Sequence, residues 1–286
     1  MKKYFKLLRV KHYIKTFLVF LPIMFSGKLT DTNVFYKSVL GFIAFCAVSS
    51  AVYIFNDIKD VEKDRNHPKK RNRPIASGQI KIKTALFISV VLLATAITCL
   101  YFANGNLLSW LILATYLLMN ICYSAGLKNV PLLDVAILSA GFLLRVMFGA
   151  AITDIKISNW LYLTIISISF YFGLGKRRNE LLKQNGDETR KVLQFYNAKF
   201  LDKNMYVCLT LGIVFYSLWC VDGVTVEKLG NIIWTIPCVL IICMKYSLTI
   251  EKDSDGDPVE VLLHDKFLLI MTVIFCIALA LVIYAF

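Results

Sequence analysis

Asn56, Asp57, Asp60 and Asp64 recur at spacings that gather four oxygen-bearing side chains on one side of a helix. At about 100° per residue, Asn56, Asp60 and Asp64 fall within roughly 80° of one another and Asp57 lies at about 100°. Hard oxygen donors grouped in this way suit Mg²⁺, which takes one or two carboxylates together with substrate phosphates and water. Three unpaired carboxylates repel one another, and a bound cation relieves that repulsion. A cationic run follows at once, with Arg65, His67, Lys69, Lys70, Arg71 and Arg73, stiffened by Pro68 and Pro74. Arginine forks and lysine point charges are phosphate ligands. The pairing predicts a site that handles a diphosphate, with Asp57, Asp60 and Asp64 as ligands to Mg²⁺. A plainer reading is a solvated acidic helix end balanced by Lys59, Lys63 and Arg65. It is disfavoured because the segment leaves a long apolar stretch and runs straight into the basic cluster.

The elements that must position these residues are membrane helices. The 286-residue chain is 58% hydrophobic with a mean hydropathy of +0.64, well above soluble proteins. A helix crossing a bilayer needs about 20 apolar residues. Nine stretches qualify, near 16–30, 38–56, 84–102, 107–124, 133–152, 159–175, 205–221, 230–248 and 267–286. The first is the weakest, being short and interrupted by Pro22. With its Lys-rich approach it has the look of a signal peptide, but no A-x-A-like cleavage pattern follows Phe25-Ser26-Gly27. Of the 32 Lys and Arg, Arg145 lies within a span and Lys28, Lys37, Lys156 and Lys228 fall on one set of alternate loops. The remaining twenty-seven sit on the other set, a positive-inside pattern that puts the N-terminus in the cytoplasm and the C-terminus outside. The expectation is an all-α, polytopic single membrane domain over 1–286 with a cytoplasm-facing active site. Its cytoplasmic loops are near 57–83, 125–132, 176–204 and 249–266. The net charge of +13 is then topology and lipid contact, with no nucleic-acid partner.

Further polar residues lie on the same predicted face. Tyr123 and Lys128 follow Asn120 at helical spacing where the fourth span exits, and Asp134 opens the fifth. Arg145, eleven residues on, is roughly 16 Å from Asp134 along the helix and cannot pair with it directly. An ionisable group inside a span is a functional candidate, with a structural ion pair as the alternative. Lys176, Arg177 and Arg178 end the sixth span, where they serve either phosphate binding or topology. The eight cysteines form no C-x-x-C pair and read as small packing residues. Asp253 to Asp257 has the wrong glycine position for a calcium loop, and His264 stands where such a loop needs Glu. The run Asp257-Pro258-Val259-Glu260-Val261-Leu262-Leu263 suggests no mechanism by itself.

Four stretches resemble one family. NDIKDVEKDRNHPKKRNRPIASG (56–78), YSAGLKNVPLLDVAILSAGFLLR (123–145), LGKRRNEL (174–181) and DPVEVLL (257–263) are similar to the UbiA-type intramembrane prenyltransferases, within them the branch that transfers phosphoribose to decaprenyl phosphate. The continuation after Asp64 carries the narrower likeness. Two features depart from it. His12, Tyr13 and Thr16 stand where the branch has Gln, Trp and Asn, and Leu138 stands where the superfamily's second D-x-x-x-D needs an acid. The resemblance implies a nine-helix UbiA-like bundle in the cell membrane, and Mg²⁺-dependent transfer of 5-phosphoribose from its 1-diphosphate to a polyprenyl phosphate, releasing diphosphate. Asp57, Asp60, Asp64 and Lys128 would then be catalytic. Asn56, His67, Lys69, Lys70, Arg71, Arg73, Tyr123, Asp134, Arg145, Lys176, Arg177 and Lys15 would bind substrate. A homo-oligomer is compatible with all of this. The alternatives are a prenyltransferase that uses a prenyl diphosphate and a small or aromatic acceptor, and a non-catalytic lipid transporter. Transport fits less well because the charges gather on one face.

Overall fold

A computed structural model describes residues 2–68, 70–183, 191–251 and 256–284. Lys69 and residues 253–255 of the acidic run fall outside them. Every regular element described is helical. In chain order they are α1 (Lys2–Leu8), a 3₁₀ stretch (Val10–Phe20), α2 (Leu21–Met24), α3 (Thr32–Lys59), α4 (Val61–Asn66), a 3₁₀ turn (Lys70–Asn72), α5 (Ile82–Phe102) and α6 (Leu107–Ala125). Then follow α7 (Leu133–Thr153), α8 (Asn159–Leu182), α9 (Ala198–Val221), α10 (Gly223–Leu229), α11 (Ile236–Ile250), α12 (Pro258–His264) and α13 (Lys266–Tyr284). Shorter 3₁₀ turns occupy Leu127–Asn129, Lys191–Phe195 and Ile232–Thr235. Seven of the helices among the described residues are long and apolar enough to cross a membrane: α3, α5, α6, α7, α9, Ile232–Ile250 and α13.

Two expected spans are not among these seven. Helix α8 has the length, 24 residues, but its apolar run is broken by Thr164, Ser167, Ser169 and Tyr171, and its last two turns carry Lys176, Arg177, Arg178 and Glu180. Residues 16–30 form no continuous α-helix. Arg9 adopts a left-handed backbone (φ 52°, ψ 45°) that ends α1, a 3₁₀ stretch follows, and Pro22 opens the single turn of α2. That 3₁₀ stretch lies along α3 in the opposite sense. Arg9 meets Asp57, the Tyr13 hydroxyl is 2.8 Å from Ser50 Oγ, and the Phe17 and Phe20 rings lie 5.0 and 5.3 Å from Phe42.

The chain divides into two compact units. The first comprises residues 1–21, 32–125 and 144–154. Its axis is α3, whose 28 residues span about 42 Å against a hydrocarbon core of about 30 Å. The last long apolar run of α3 ends at Phe55, and Asn56 and Asp57 follow on the same helix. Ala44, Ala47, Ser50 and Ala51 on α3 are small and buried, and they allow the close approach typical of helix packing in lipid. Phe45, Val48, Ala96, Leu100, Tyr116, Phe148 and Ile152 complete this core with Val19 of the 3₁₀ stretch. Gly149 is what lets that stretch sit so close, since a Cβ there would collide with the Val19 carbonyl.

The second unit comprises residues 22–31, 126–143 and 155–286. Here α8 packs along α9 over Tyr171, Leu174, Leu201 and Met205, joined by Tyr246, Ile250 and Val261. A second cluster forms around Leu161, Tyr216, Trp219, Leu229 and Leu279. All eight cysteines are free thiols; Cys46, Cys99 and Cys220 are buried and Cys276 is exposed.

Asp265 locks α11 to the start of α13. It accepts from Thr249 Oγ1 at 2.7 Å and from Leu268 N at 3.1 Å, and it pairs with Lys245 Nζ at 2.9 Å. Burial alone would raise its pKa. The hydrogen bonds and the Lys245 charge outweigh that and hold it at about 2, below the ordinary aspartate value of about 3.9. A depressed carboxyl stabilises the fold above its unfolded pKa and loses that contribution as pH falls. Thermal melts in detergent should therefore show the wild type losing stability between about pH 4 and pH 2. Asp265→Asn should melt lower at neutral pH and lack that part of the acid loss.

Candidate functional site

The Asp-rich face forms at the end of α3 and continues through α4. Asp60 stands between the two helices with a non-helical backbone (φ −94°, ψ 13°). The i to i+4 hydrogen bonds nevertheless run across the break, Asp60 N to Asn56 O at 3.0 Å and Asp64 N to Asp60 O at 2.8 Å, so the helical spacing survives. Asp57 and Asp64 turn inward and are 2% and 3% exposed. A buried carboxylate needs a partner. Arg73 supplies it for both, with Nη1 at 3.1 Å from Asp57 and 2.7 Å from Asp64. Arg9 reaches the same oxygen of Asp57 at 2.6 Å while its guanidinium lies 4.6 Å from the centre of the Tyr53 ring.

The loop after Asp64 is held by apolar anchors. Ile75 and Ile80 are 2% and 4% exposed and pack with Leu7, Ile54 and Ala85. Ser77 Oγ donates to Arg73 O at 2.8 Å, Ile80 N to Pro74 O at 2.9 Å, and Arg65 Nε to Ala76 O at 3.3 Å. Lys6 Nζ donates to Asn72 O at 2.8 Å. Pinned on both sides, the backbone at 73–74 points the Arg73 guanidinium at the aspartates. His67 Nδ1 accepts from Lys70 N at 3.3 Å, which fixes the loop start, and Arg71 is exposed. Lys69 lies outside the described residues.

Asn56 is engaged too. Ser124 Oγ donates to its Oδ1, and Lys59 Nζ donates to Ser124 O at 2.8 Å, joining the ends of α3 and α6. Tyr123 and Lys15, in the same unit, are half-buried. Arg145 is 6% exposed and is sandwiched, with its guanidinium 5.0 Å from the ring centres of both Phe45 and Tyr116 and Nη2 donating to Tyr116 OH at 3.0 Å. This places the intramembrane arginine in an aromatic box.

A second cluster lies in the other unit. Asp134 and Arg177, both 0% exposed, form an ion pair. Arg177 Nη1 also donates to Glu180 Oε2 at 2.6 Å. The Tyr196 hydroxyl donates to Asp134 at 2.6 Å and accepts from Leu132 N at 2.7 Å. Burial and the bond to Asp134 push the Tyr196 pKa up to about 12, so it stays a proton donor at every physiological pH. Both Asp134 and Arg177 thus face each other, closed to solvent, where the sequence suggested substrate ligands. Arg178 pairs with Asp202, and Lys176 with Asp257 at 3.2 Å. Lys128 sits half-buried on the 3₁₀ turn Leu127–Asn129.

Sequence reasoning overlooked Arg9, Tyr196 and Asp257. Arg9 stands in the basic approach to the first apolar stretch, and Asp257 opens the DPVEVLL stretch that carries part of the family likeness; Tyr196 is a long-range partner without local pattern.

Among the described residues, no three acidic, histidine or cysteine side chains converge as a metal centre, so Asp57, Asp60 and Asp64 do not form the expected three-carboxylate cluster. Arg73 spans two of them. The donor types still fit a hard divalent ion. A guanidinium bridging Asp57 and Asp64 also shows that this position accepts positive charge. Removing Arg73 while keeping bulk, as in Arg73→Met, should destabilise the protein by about 3 kcal/mol by leaving Asp64 short of a cation. Millimolar Mg²⁺ should then raise its melting temperature more than it raises the wild type's. Equal shifts in the two proteins would mean that the aspartate pair takes no metal.

The profile of the UbiA prenyltransferase family matches residues 19–263. The decaprenyl-phosphate phosphoribosyltransferase of Corynebacterium glutamicum is 31% identical, over 96% of this chain and 85% of its own length. That of Mycolicibacterium smegmatis is also 31% identical, over 93% and 87%. Among solved structures, a UbiA homolog from Archaeoglobus fulgidus bound to GPP and Mg²⁺ superposes with a TM-score of 0.73, covering 99% of this chain and 100% of that one at 18% identity. That likeness is one of fold.

Proposed function

This chain belongs to the UbiA prenyltransferase family, and we propose that it transfers 5-phosphoribose from 5-phosphoribosyl 1-diphosphate to a polyprenyl phosphate, releasing diphosphate. The observation that carries this reading is the 31% identity, over nearly the whole chain, to decaprenyl-phosphate phosphoribosyltransferases. The apolar helices make it an integral membrane protein. We place it in the cell membrane with the N-terminus in the cytoplasm, the C-terminus outside and the active site facing the cytoplasm. Nine passes are supported by α8, long enough to cross, and by the 3₁₀ stretch, which follows α3 from Asp57 to Phe42.

In this reaction an oxygen of the lipid phosphate bonds to the anomeric carbon as the bond from that carbon to diphosphate breaks, and the electron pair leaves with diphosphate. The lipid phosphate is already ionised at neutral pH, since the second pKa of a phosphate monoester is about 6, so no strong base is required. Asp57, Asp60 and Asp64, with Asn56 beside them, would hold Mg²⁺ once Arg73 turns from Asp57 and Asp64 to the sugar phosphates, and the ion would neutralise charge on the leaving diphosphate. Asp60, at the break between α3 and α4, is less buried than Asp57 and Asp64 and is the ligand most open to solvent. His67, Lys69, Lys70, Arg71 and Arg73 hold the sugar phosphates from the loop that Ile75 and Ile80 anchor. Lys128 and Lys176 orient the acceptor phosphate. Proximity and fixed charge carry the rate enhancement. The absent second D-x-x-x-D counts against aromatic prenyl transfer: Asp134 is turned toward Arg177 and Leu138 occupies the second acidic position.

Purified protein in detergent should release diphosphate only when given 5-phosphoribosyl 1-diphosphate, a polyprenyl phosphate and Mg²⁺ together. Asp60→Asn should lower kcat by about 100-fold or more, the scale of losing one charge-stabilising group, with the melting temperature unchanged. Release from a prenyl diphosphate plus an aromatic acceptor, with none from the sugar donor, would sink the proposal in favour of a prenyltransferase.

A further inference from the structure

Four consecutive side chains near the end of α8 take different partners. Lys176 goes to Asp257, Arg177 to Asp134 and Glu180, Arg178 to Asp202, and Asn179 Nδ2 to Ile250 O at 2.8 Å. Arg177 and Asn179 are buried, and the Arg178 side chain keeps 15% of its surface. Lys176 keeps 27%, the largest share of the three cations. Its partner opens the run Asp257 to Leu263, whose residues alone suggest no mechanism.

The contact is specified by several independent features. Gly256 has φ 67°, and a Cβ there would stand 2.9 Å from Lys176 Cα and 3.0 Å from Gly175 O, so the chain docks this closely on α8 only as glycine. Asp257 then caps α12. Its Oδ1 accepts from Val259 N at 3.1 Å, and Pro258 occupies the first helical position. Its Oδ2 is left to take Lys176 Nζ at 3.2 Å. Val259 and Val261, 7% and 3% exposed, bury the helix that the cap begins. One carboxylate thus fixes a helix start with one oxygen and a lysine with the other.

We propose that Asp257 is the positioning residue for Lys176, and that Lys176, so held, takes the phosphate of the polyprenyl phosphate acceptor. This rests on the reaction proposed above. An ammonium has three donors, so Lys176 keeps its bond to Asp257 and still offers two N–H groups to phosphate oxygens. A free lysine would sample many rotamers; the pinned one meets the lipid phosphate already oriented.

Asp257→Asn separates the two roles, because asparagine still caps α12 but forms no ion pair. With the full chain in detergent, its KM for polyprenyl phosphate should rise at least fivefold, while KM for 5-phosphoribosyl 1-diphosphate stays at the wild-type value. In a Lys176→Gln background, adding Asp257→Asn should raise the acceptor KM no further. An unchanged or lowered acceptor KM overturns the proposal, as does an equal rise in both KM values or a further rise in the Lys176→Gln background. This cycle decides the matter even if Asp257→Asn melts lower than wild type. If wild-type protein turns over neither substrate, the reaction reading has failed instead. Native mass spectrometry of polyprenyl phosphate on wild type and Asp257→Asn then tests Asp257 alone, with weaker retention by the variant expected and equal retention overturning the proposal.

Discussion

A carboxylate withdrawn from water must be met by a cation, and the polar ends of this protein are arranged around that requirement. Asp57, Asp64 and Asp134 are all but inaccessible. Leaving any one unpaired would cost several kcal/mol. Each is answered by an arginine that the chain brings from elsewhere: Arg9 from 48 residues before Asp57, Arg73 from 16 after it, Arg177 from 43 after Asp134. These pairings dictate where the N-terminal segment, the loop after α4 and the end of α8 must lie. The same carboxylates that suit a metal are therefore also the fixed points of the local fold.

Charge pairing alone would not hold a loop still, and the loop after Asp64 has a second system of restraint. Ile75 and Ile80 bury themselves beside Ile54, so a segment rich in lysine and arginine is tied down by two isoleucines. Arg71 remains outside while Arg73, two residues on, is directed inward. Burial of neighbouring apolar groups sorts the cations of one run into structural and solvent-facing members.

Legibility from the amino-acid sequence followed the range of the interactions. The face at Asn56–Asp64 was readable because a helix repeats every 3.6 residues, and the spacing held across the break at Asp60. The long apolar helices were equally plain. The 3₁₀ stretch at 10–20 was not, since apolar content does not distinguish a span that packs as α-helix from one drawn out along its neighbour. Lys176, Arg177 and Arg178 looked like one positive patch, because a charge count tells the side of the membrane and not the direction of a side chain. The match between Asp257 and Lys176, 81 residues apart, has no local signature.

The stretch at 10–20 leans on α3 from Asp57 down to Phe42 and has Gly149 of α7 at its back. Both supports are synthesised after it. Residues 10–20 leave the ribosome before either support exists, and they reach their final seat only once α7, more than a hundred residues downstream, is in place. For this part of the molecule, the order of synthesis and the order of assembly run in opposite directions.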